Sequence, residues 1–325
     1  MSGYSNRWTD FPDYIIGITK QIWEDRGVGT LNQYYAPDIV VRSPMGISRG
    51  NQAVIAATMA TIYEFPDREL LAEDVIFSNA AEHGYLSSHR LITRATHSRD
   101  GAFGAATGKR WVARVIADCA ARGDQIYDEW LVRDYGGIVR QLGMDPADYA
   151  AQLIDAEGGP DKASQVFLPA HDVAGPYLGR GNDNQWGATY ADILHRIMNH
   201  EFNTIRDVYD RAIIGEYAGG LHSLGWDKTL EFWIGLRSSF PAAKFEIHHQ
   251  IGMDGDMLSP RAALRWSLDG KHDGWGSFGR PTGKSVHVFG MCHAEFGPWG
   301  LRREFALYDE IAIWKQILMA QGARP

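Results

Sequence analysis

The stretch TGKRWVARVIADCAARGDQIYDEWLVRD, Thr107 to Asp134, decides the fold. Its first half alternates with period two. Trp111, Ala113, Val115, Ala117 and Cys119 fall on one face, and Val112, Arg114, Ile116 and Asp118 on the other. That is a strand, and the polar ARGDQI turn sends the chain back into a second one. Asp118 is the anomaly, because a carboxylate on a half-apolar face needs a chemical reason.

The stretch also recurs. Moved by 174 positions, Thr30, Tyr35, Ile39 and Gly46 fall on Thr204, Tyr209, Ile213 and Gly220. After one inserted residue the shift becomes 175. It then pairs Phe65-Pro66 with Phe240-Pro241, Arg90 with Arg265, His97 with His272, and Phe103-Gly104 with Phe278-Gly279. The triplet Thr107-Gly108-Lys109 falls on Thr282-Gly283-Lys284, Glu129 on Glu304, Asp134 on Asp309, and Gln141 on Gln316. A period this long marks a duplicated domain, not a solenoid. We expect copy one over 1–143, a Gly- and Pro-rich connector over 144–187 with a short helix near Ala147 to Ala156, and copy two over 188–325. Each copy opens with a helical segment (Tyr14 to Asp25; Tyr190 to Val208), passes a second helical patch and continues in strands. That order predicts an α+β fold, a curved, mostly antiparallel sheet wrapped around helices.

Composition narrows the function classes. With 45% hydrophobic and 22% charged residues the chain has the apolar content for two cores. A net charge of −8 and the lack of any Lys/Arg run argue against a nucleic-acid partner. No segment has the length and hydropathy of a membrane span or a signal core, so a cytoplasmic protein with no membrane partner is expected. Cys119 and Cys292 cannot form a disulfide framework or a zinc cluster and read as buried thiols.

The opening helix, the segment YYAPDIVVRSPMGISRG, then TGK, the long hairpin, DEWLVRD and RQLG resemble the SnoaL-like polyketide (ester) cyclases of the nuclear transport factor 2-like superfamily. The resemblance spans about Ile15 to Gly143 and, more loosely, FGRPTGKSVHVFG and Glu304 to Asp309 of copy two. It implies cone-shaped domains enclosing an apolar pocket, and ring closure by a pocket acid or base without metal or organic cofactor. It places the acidic residue at Asp118, which corresponds to His293 in copy two. Steroid isomerases of the superfamily are implied to hold their base before the Pro of a D-P-x-G segment, where this chain has Ser43, and Tyr217 in the duplicate; that chemistry is disfavoured.

The candidate catalytic residues are therefore Asp118, His97, His293 and His272. Arg114 shares the face of Asp118, and an ion pair between them is the structural alternative to catalysis. Tyr35, Trp111, Trp130, Tyr217, Trp233, Trp266 and His287 are the candidate pocket lining, suited to a small apolar or aromatic ligand. His248 and His249 point to opposite faces of a strand, so no metal triad emerges. Glu129, Asp134, Glu304 and Asp309 read as structural pairs. The expected function is cofactor-independent acid/base chemistry on a small apolar carbonyl compound. A non-catalytic ligand- or protein-binding module, and a hydrolase or dehydratase on the same scaffold, are the alternatives. The copies are expected to pack as an intramolecular pseudo-dimer, which could assemble further into a homo-oligomer.

Overall fold

The structure, a computed structural model, describes residues 3–80, 83–173 and 175–319. Copy one runs α1 (Phe11–Trp23), α2 (Leu31–Tyr34), β1 (Tyr35–Ser43), β2 (Gly46–Arg49), α3 (Asn51–Glu64), β3 (Glu69–Ala80), β4 (Gly84–Thr96), β5 (Arg110–Arg122), β6 (Gln125–Arg133) and α4 (Tyr135–Leu142). The connector holds α5 (Pro146–Ala156) and the two-residue β7 (Gly179–Arg180). Copy two repeats the order with α6 (Gln185–Met198), α7 (Thr204–Val208), β8 (Tyr209–Tyr217), β9 (Leu221–Leu224), α8 (Trp226–Ser239), β10 (Lys244–Gly255), β11 (Leu258–Lys271), β12 (Ser285–Gly297), β13 (Gly300–Tyr308) and α9 (Glu310–Met319).

The topologies coincide. Sheet one has the order β2-β1-β6-β5-β4-β3, and sheet two β9-β8-β13-β12-β11-β10 with β7 added at its edge. Neighbours are antiparallel except β1 with β6, β8 with β13 and β7 with β10, so both sheets are mixed. The architecture is the α+β one expected. Local signals set the helix starts: Asp10 accepts the Asp13 N–H ahead of α1, with Pro12 in its first turn, and Asn184 accepts the Trp186 N–H ahead of α6.

Each sheet is buried on both faces. On one face of sheet one, Ile15 and Ile18 of α1 pack against Leu91, Val115, Ala117, Cys119 and Leu131. The other face meets sheet two, where Ile76, Ile116, Ala120, Trp130 and Val132 interleave with Ile251, Ala263, Phe289, Met291 and Leu307. Strand alternation gives the face along β5, but register shifts break it in β3, β6 and β13, and again in β10. There the register shifts between Ile247 and His249, so His248 is a bulge and the alternation expected along AKFEIHHQIGM breaks. Ile247 packs in the core of copy two and Ile251 between the sheets.

Contacts between the sheets come in pairs related by the repeat. Arg90 lies over the ring of Phe305, 3.5 Å from its centroid, and its equivalent Arg265 lies over Trp130, equivalent to Phe305, at 3.7 Å. Arg90 also bonds His293, while Arg265 faces Asp118, the equivalent of His293. Residue i touching j while the counterpart of j touches that of i is the signature of a two-fold, self-complementary contact. Two links of unlike kind flank it, Arg114 to Glu216 at 2.8 Å and Arg261 to Asp74.

Candidate functional site

Copy one is hollow. A cavity of about 390 Å³ lies between sheet one and helices α1 and α3, lined mainly by Ile, Leu and Val side chains. Polar side chains also line it, among them Thr19, Ser43, Ser48, Thr58, Thr61 and Tyr135. Glu129 and Arg133 come from β6, His89 from β4, Tyr35 from β1 and Arg68 from the turn entering β3. Glu129 is 6% exposed; burial pushes its carboxyl above the usual glutamate range, Tyr35 is its hydrogen-bond partner, and its Oε2 atom has none. His89 is buried too. Desolvation holds its imidazole down at about 3, so it is neutral at physiological pH, and its Nε2 atom lacks a partner. A buried polar atom without a partner costs stability, and two residues lining this one cavity each carry such an atom.

Copy two shows what the same site looks like when it is filled. Glu304, the counterpart of Glu129, accepts four hydrogen bonds: from the Tyr190 and Tyr209 hydroxyls at 3.0 and 2.8 Å, the Tyr217 hydroxyl at 2.8 Å and the Trp233 indole N–H at 3.0 Å. Tyr217 and Trp233 stand where copy one has Ser43 and Thr58, both cavity-lining. Trp266 replaces Leu91, and Gly290 replaces Val115. These swaps are coupled, since a Cβ on Gly290 would lie 2.2 Å from the Trp266 ring, and one on Gly215, the counterpart of Val41, would lie 2.3 Å from Tyr217. Aromatic bulk and the loss of side chains beside it thus close the second cone.

The residues singled out from sequence lie mostly elsewhere. Asp118 does not face the cavity; it is buried between the sheets, 3.8 Å from Arg265, and bonded to Ser88. His293 meets it there. Its Nδ1 faces the Arg90 guanidinium, which can only donate, so Nε2 carries the hydrogen and donates to Ser88 Oγ at 2.7 Å, while Ser88 in turn donates to Asp118. The chain His293, Ser88, Asp118 is an internal relay of hydrogen bonds across the two-fold contact. Arg114 pairs with Glu73 and Glu216 and not with Asp118. His97 and His272 are fully buried behind their hairpins, each with Nδ1 at 3.2 Å from a threonine hydroxyl, Thr107 or Thr282, and they staple a turn outside the cavity.

Of the expected lining, Tyr35 does border the cavity. Trp111 packs with Phe65 and Ile138 in a separate core, and Tyr217, Trp233 and Trp266 fill copy two. Trp130, Trp266 and His287 border a second cavity of about 220 Å³ under the connector, between the copies, with His248, Arg265 and Phe167. Among the described residues no cluster of three His, Cys, Asp or Glu side chains is placed to hold a metal ion, and no helix is long and apolar enough to cross a membrane.

Glu129, His89, Arg68 and Arg133 are the cavity residues that sequence reasoning passed over. The signal was present in the alternation of the opening stretch: the face carrying Val115, Ala117 and Cys119 is the cavity face, and Glu129 lies beside Cys119 on β6.

Fold and site together define a tandem of α+β cones, one hollow with a partly satisfied buried carboxyl and one filled around a fully satisfied carboxylate. No family model and no curated sequence matches the chain. Solved structures that it resembles include IdmH, a candidate polyketide cyclase from Streptomyces antibioticus (22% identity, 41% of this chain and 98% of that one, TM-score 0.37). Others are a candidate SnoaL-like polyketide cyclase from Jannaschia sp. CCS1 (14%, 47% and 99%, 0.35) and a SnoaL-like polyketide cyclase from Agrobacterium tumefaciens (19%, 41% and 97%, 0.32). Each spans nearly all of its own length and less than half of this chain.

Proposed function

We propose that copy one, residues 1–143, is an acid/base catalyst acting on a small, largely apolar carbonyl compound, of the kind that closes or rearranges a ring through an enolate. Glu129 takes the proton next to the carbonyl, and the neutral imidazole of His89 offers one hydrogen bond to the polarised oxygen or its neighbour. A carboxyl held above its ordinary range by burial is suited to exchanging a proton near neutral pH. The observation that carries this reading is the contrast between the copies: the same carboxyl has four donors where the cone is filled and an unpartnered oxygen where it is hollow. Copy two, residues 188–325, then serves as the packing partner in an intramolecular pseudo-dimer. Asp118 is assigned no chemical step, since it lies outside the cavity.

The test is binding and turnover of a panel of aromatic and polyketide-like carbonyl compounds by wild type, Glu129→Gln and Asp118→Asn. Glu129→Gln should bind its ligands and lose turnover by at least a hundredfold, and the pH limb of kcat/KM that lies above the usual glutamate range should vanish with it. Turnover that survives in Glu129→Gln and disappears in Asp118→Asn would return the chemistry to the sheet interface. Binding without turnover in wild type would make the hollow cone a ligand carrier.

A further inference from the structure

The cavity of copy one holds two guanidinium groups that the acid/base reading does not use. Arg68 is 6% exposed, and its Nε donates to the Thr93 hydroxyl at 3.0 Å. Its guanidinium also lies 4.8 Å from the ring centroid of Trp23. Arg133 ends β6 on the cavity face, two steps beyond Leu131 and Glu129 in the alternation. Among the described residues neither the buried Arg68 nor the half-buried Arg133 makes an ion pair, although the buried Arg42 does with Asp128 and Asp172, and the buried Arg90 with Glu73 and Glu295. The two cations are close enough that Arg133 disfavours the charged form of Arg68, as does burial. A guanidinium stays protonated at neutral pH all the same. Glu64 attracts Arg68 and Glu129 attracts Arg133 through space, but neither carboxyl makes an ion pair with its arginine, and like charges gathered in a partly desolvated space without a contacting counter-charge are unfavourable unless an anion joins them.

Their counterparts settle whether the pair belongs to the fold or to the cavity. Under the repeat, Arg68 becomes Ala243 and Arg133 becomes Tyr308, so the filled cone has neither cation. Both arginines occur only where there is space for a ligand.

We infer that the ligand of the copy-one cavity is an organic anion: a flat apolar body carrying a carboxylate, held between Arg68 and Arg133. This rests on the reading of that cavity as the working site and names its substrate class. Arg133 and Glu129 are four residues apart on one strand, about 13 Å at the rise of a β-strand. The anchoring cation and the carboxyl thus come from different positions along one strand, and the anion orients the molecule while Glu129 handles the proton.

Calorimetric titration of 2-naphthoate and of 2-naphthamide, matched in shape and different in charge, tests it. Wild type should bind the acid at least tenfold more tightly than the amide. Arg133→Gln should erase that preference, Arg133→Lys should restore part of it, and Glu129→Gln should keep it. Equal affinities in wild type, a preference untouched by Arg133→Gln, or no binding of either compound at millimolar concentration would overturn the inference. The two proposals separate cleanly. Loss of turnover in Glu129→Gln with no preference for the acid sinks only the anion; a preference for the acid with full turnover in Glu129→Gln sinks only the acid/base role.

Discussion

The same substitution at two positions related by the repeat should have opposite consequences. In Glu304→Gln the amide keeps one acceptor oxygen and places an NH2 group where a carboxylate oxygen received two donors. The three phenols that bond Glu304 can turn their hydroxyls to accept, but the Trp233 indole can only donate. Hydrogen bonds to a charged group contribute about 1.5–3 kcal/mol each, so two bonds lost with partial recovery by hydroxyl rotation give a cost of about 3 kcal/mol. For a domain of this size that is a fall in Tm on the order of 10 °C. In Glu129→Gln only Tyr35 must adjust, and the amide NH2 occupies a position that had no partner; the cost should stay within about 1 kcal/mol. Urea unfolding of both variants at one pH, with calorimetry to follow Tm, measures the difference. If Glu129→Gln proves as destabilising as Glu304→Gln, then Glu129 is held by the fold in the way Glu304 is, and the contrast on which the functional reading stands is gone.

Two further outcomes follow from the buried groups. Burial pushes Asp118 up to about 6, against the attraction of Arg265. Between about pH 4 and 6 the unfolded chain gives up this proton while the folded one retains it, so stability falls as pH rises through that window, by about 3 kcal/mol in all. The difference in unfolding free energy between pH 4.5 and 7.5 should change by about 2 kcal/mol in Asp118→Asn, the share of the total that falls in that interval; an unchanged slope would mean that Asp118 is ionised at both values. In copy two, Trp233→Thr combined with Tyr217→Ser installs the residues of the hollow cone. Each large-to-small change should cost about 3–5 kcal/mol, and hydrophobic dyes or small arenes should partly restore the Tm by filling the space. No rescue by any such ligand would show that the cone collapses instead of opening.

Most of the fold was legible because it was written twice. The coincidence of Thr107-Gly108-Lys109 with Thr282-Gly283-Lys284, and of Glu129 with Glu304, showed that both halves carry a similar order of elements, and the two sheets share one strand order. The site was less legible, and the reason is physical. Alternation sorted β5 correctly into two faces, but the choice between them assumed that a sheet has one apolar face and one face with a task. Here both are buried, one by helices and a cavity, the other by a second sheet. Asp118 drew attention because it sits among apolar residues, which an interface between sheets supplies as readily as a pocket. Glu129 reads from sequence as a structural partner, and in DEW it stands directly beside a second carboxylate, Asp128. What distinguishes them is that Asp128 turns to Arg42 and Glu129 to the cavity. The comparison that would have found the site from sequence is of size: Ser43 against Tyr217, Thr58 against Trp233 and Leu91 against Trp266 all enlarge in the same direction.

The paired contacts of Arg90 with Phe305 and Arg265 with Trp130 have a genetic consequence. In an assembly of two identical chains every substitution is made twice, so a tryptophan that plugs one cone plugs its twin and abolishes the activity. Joining the halves in one reading frame removes that constraint. It also makes their association independent of dilution, because the connector holds each half at a fixed local concentration near the other. One half can then hold a solid, aromatic interior that braces the shared sheets while the other holds a chamber. On the proposed function, the asymmetry between Glu129 and Glu304 is a division of labour that a symmetric pair of identical chains cannot hold.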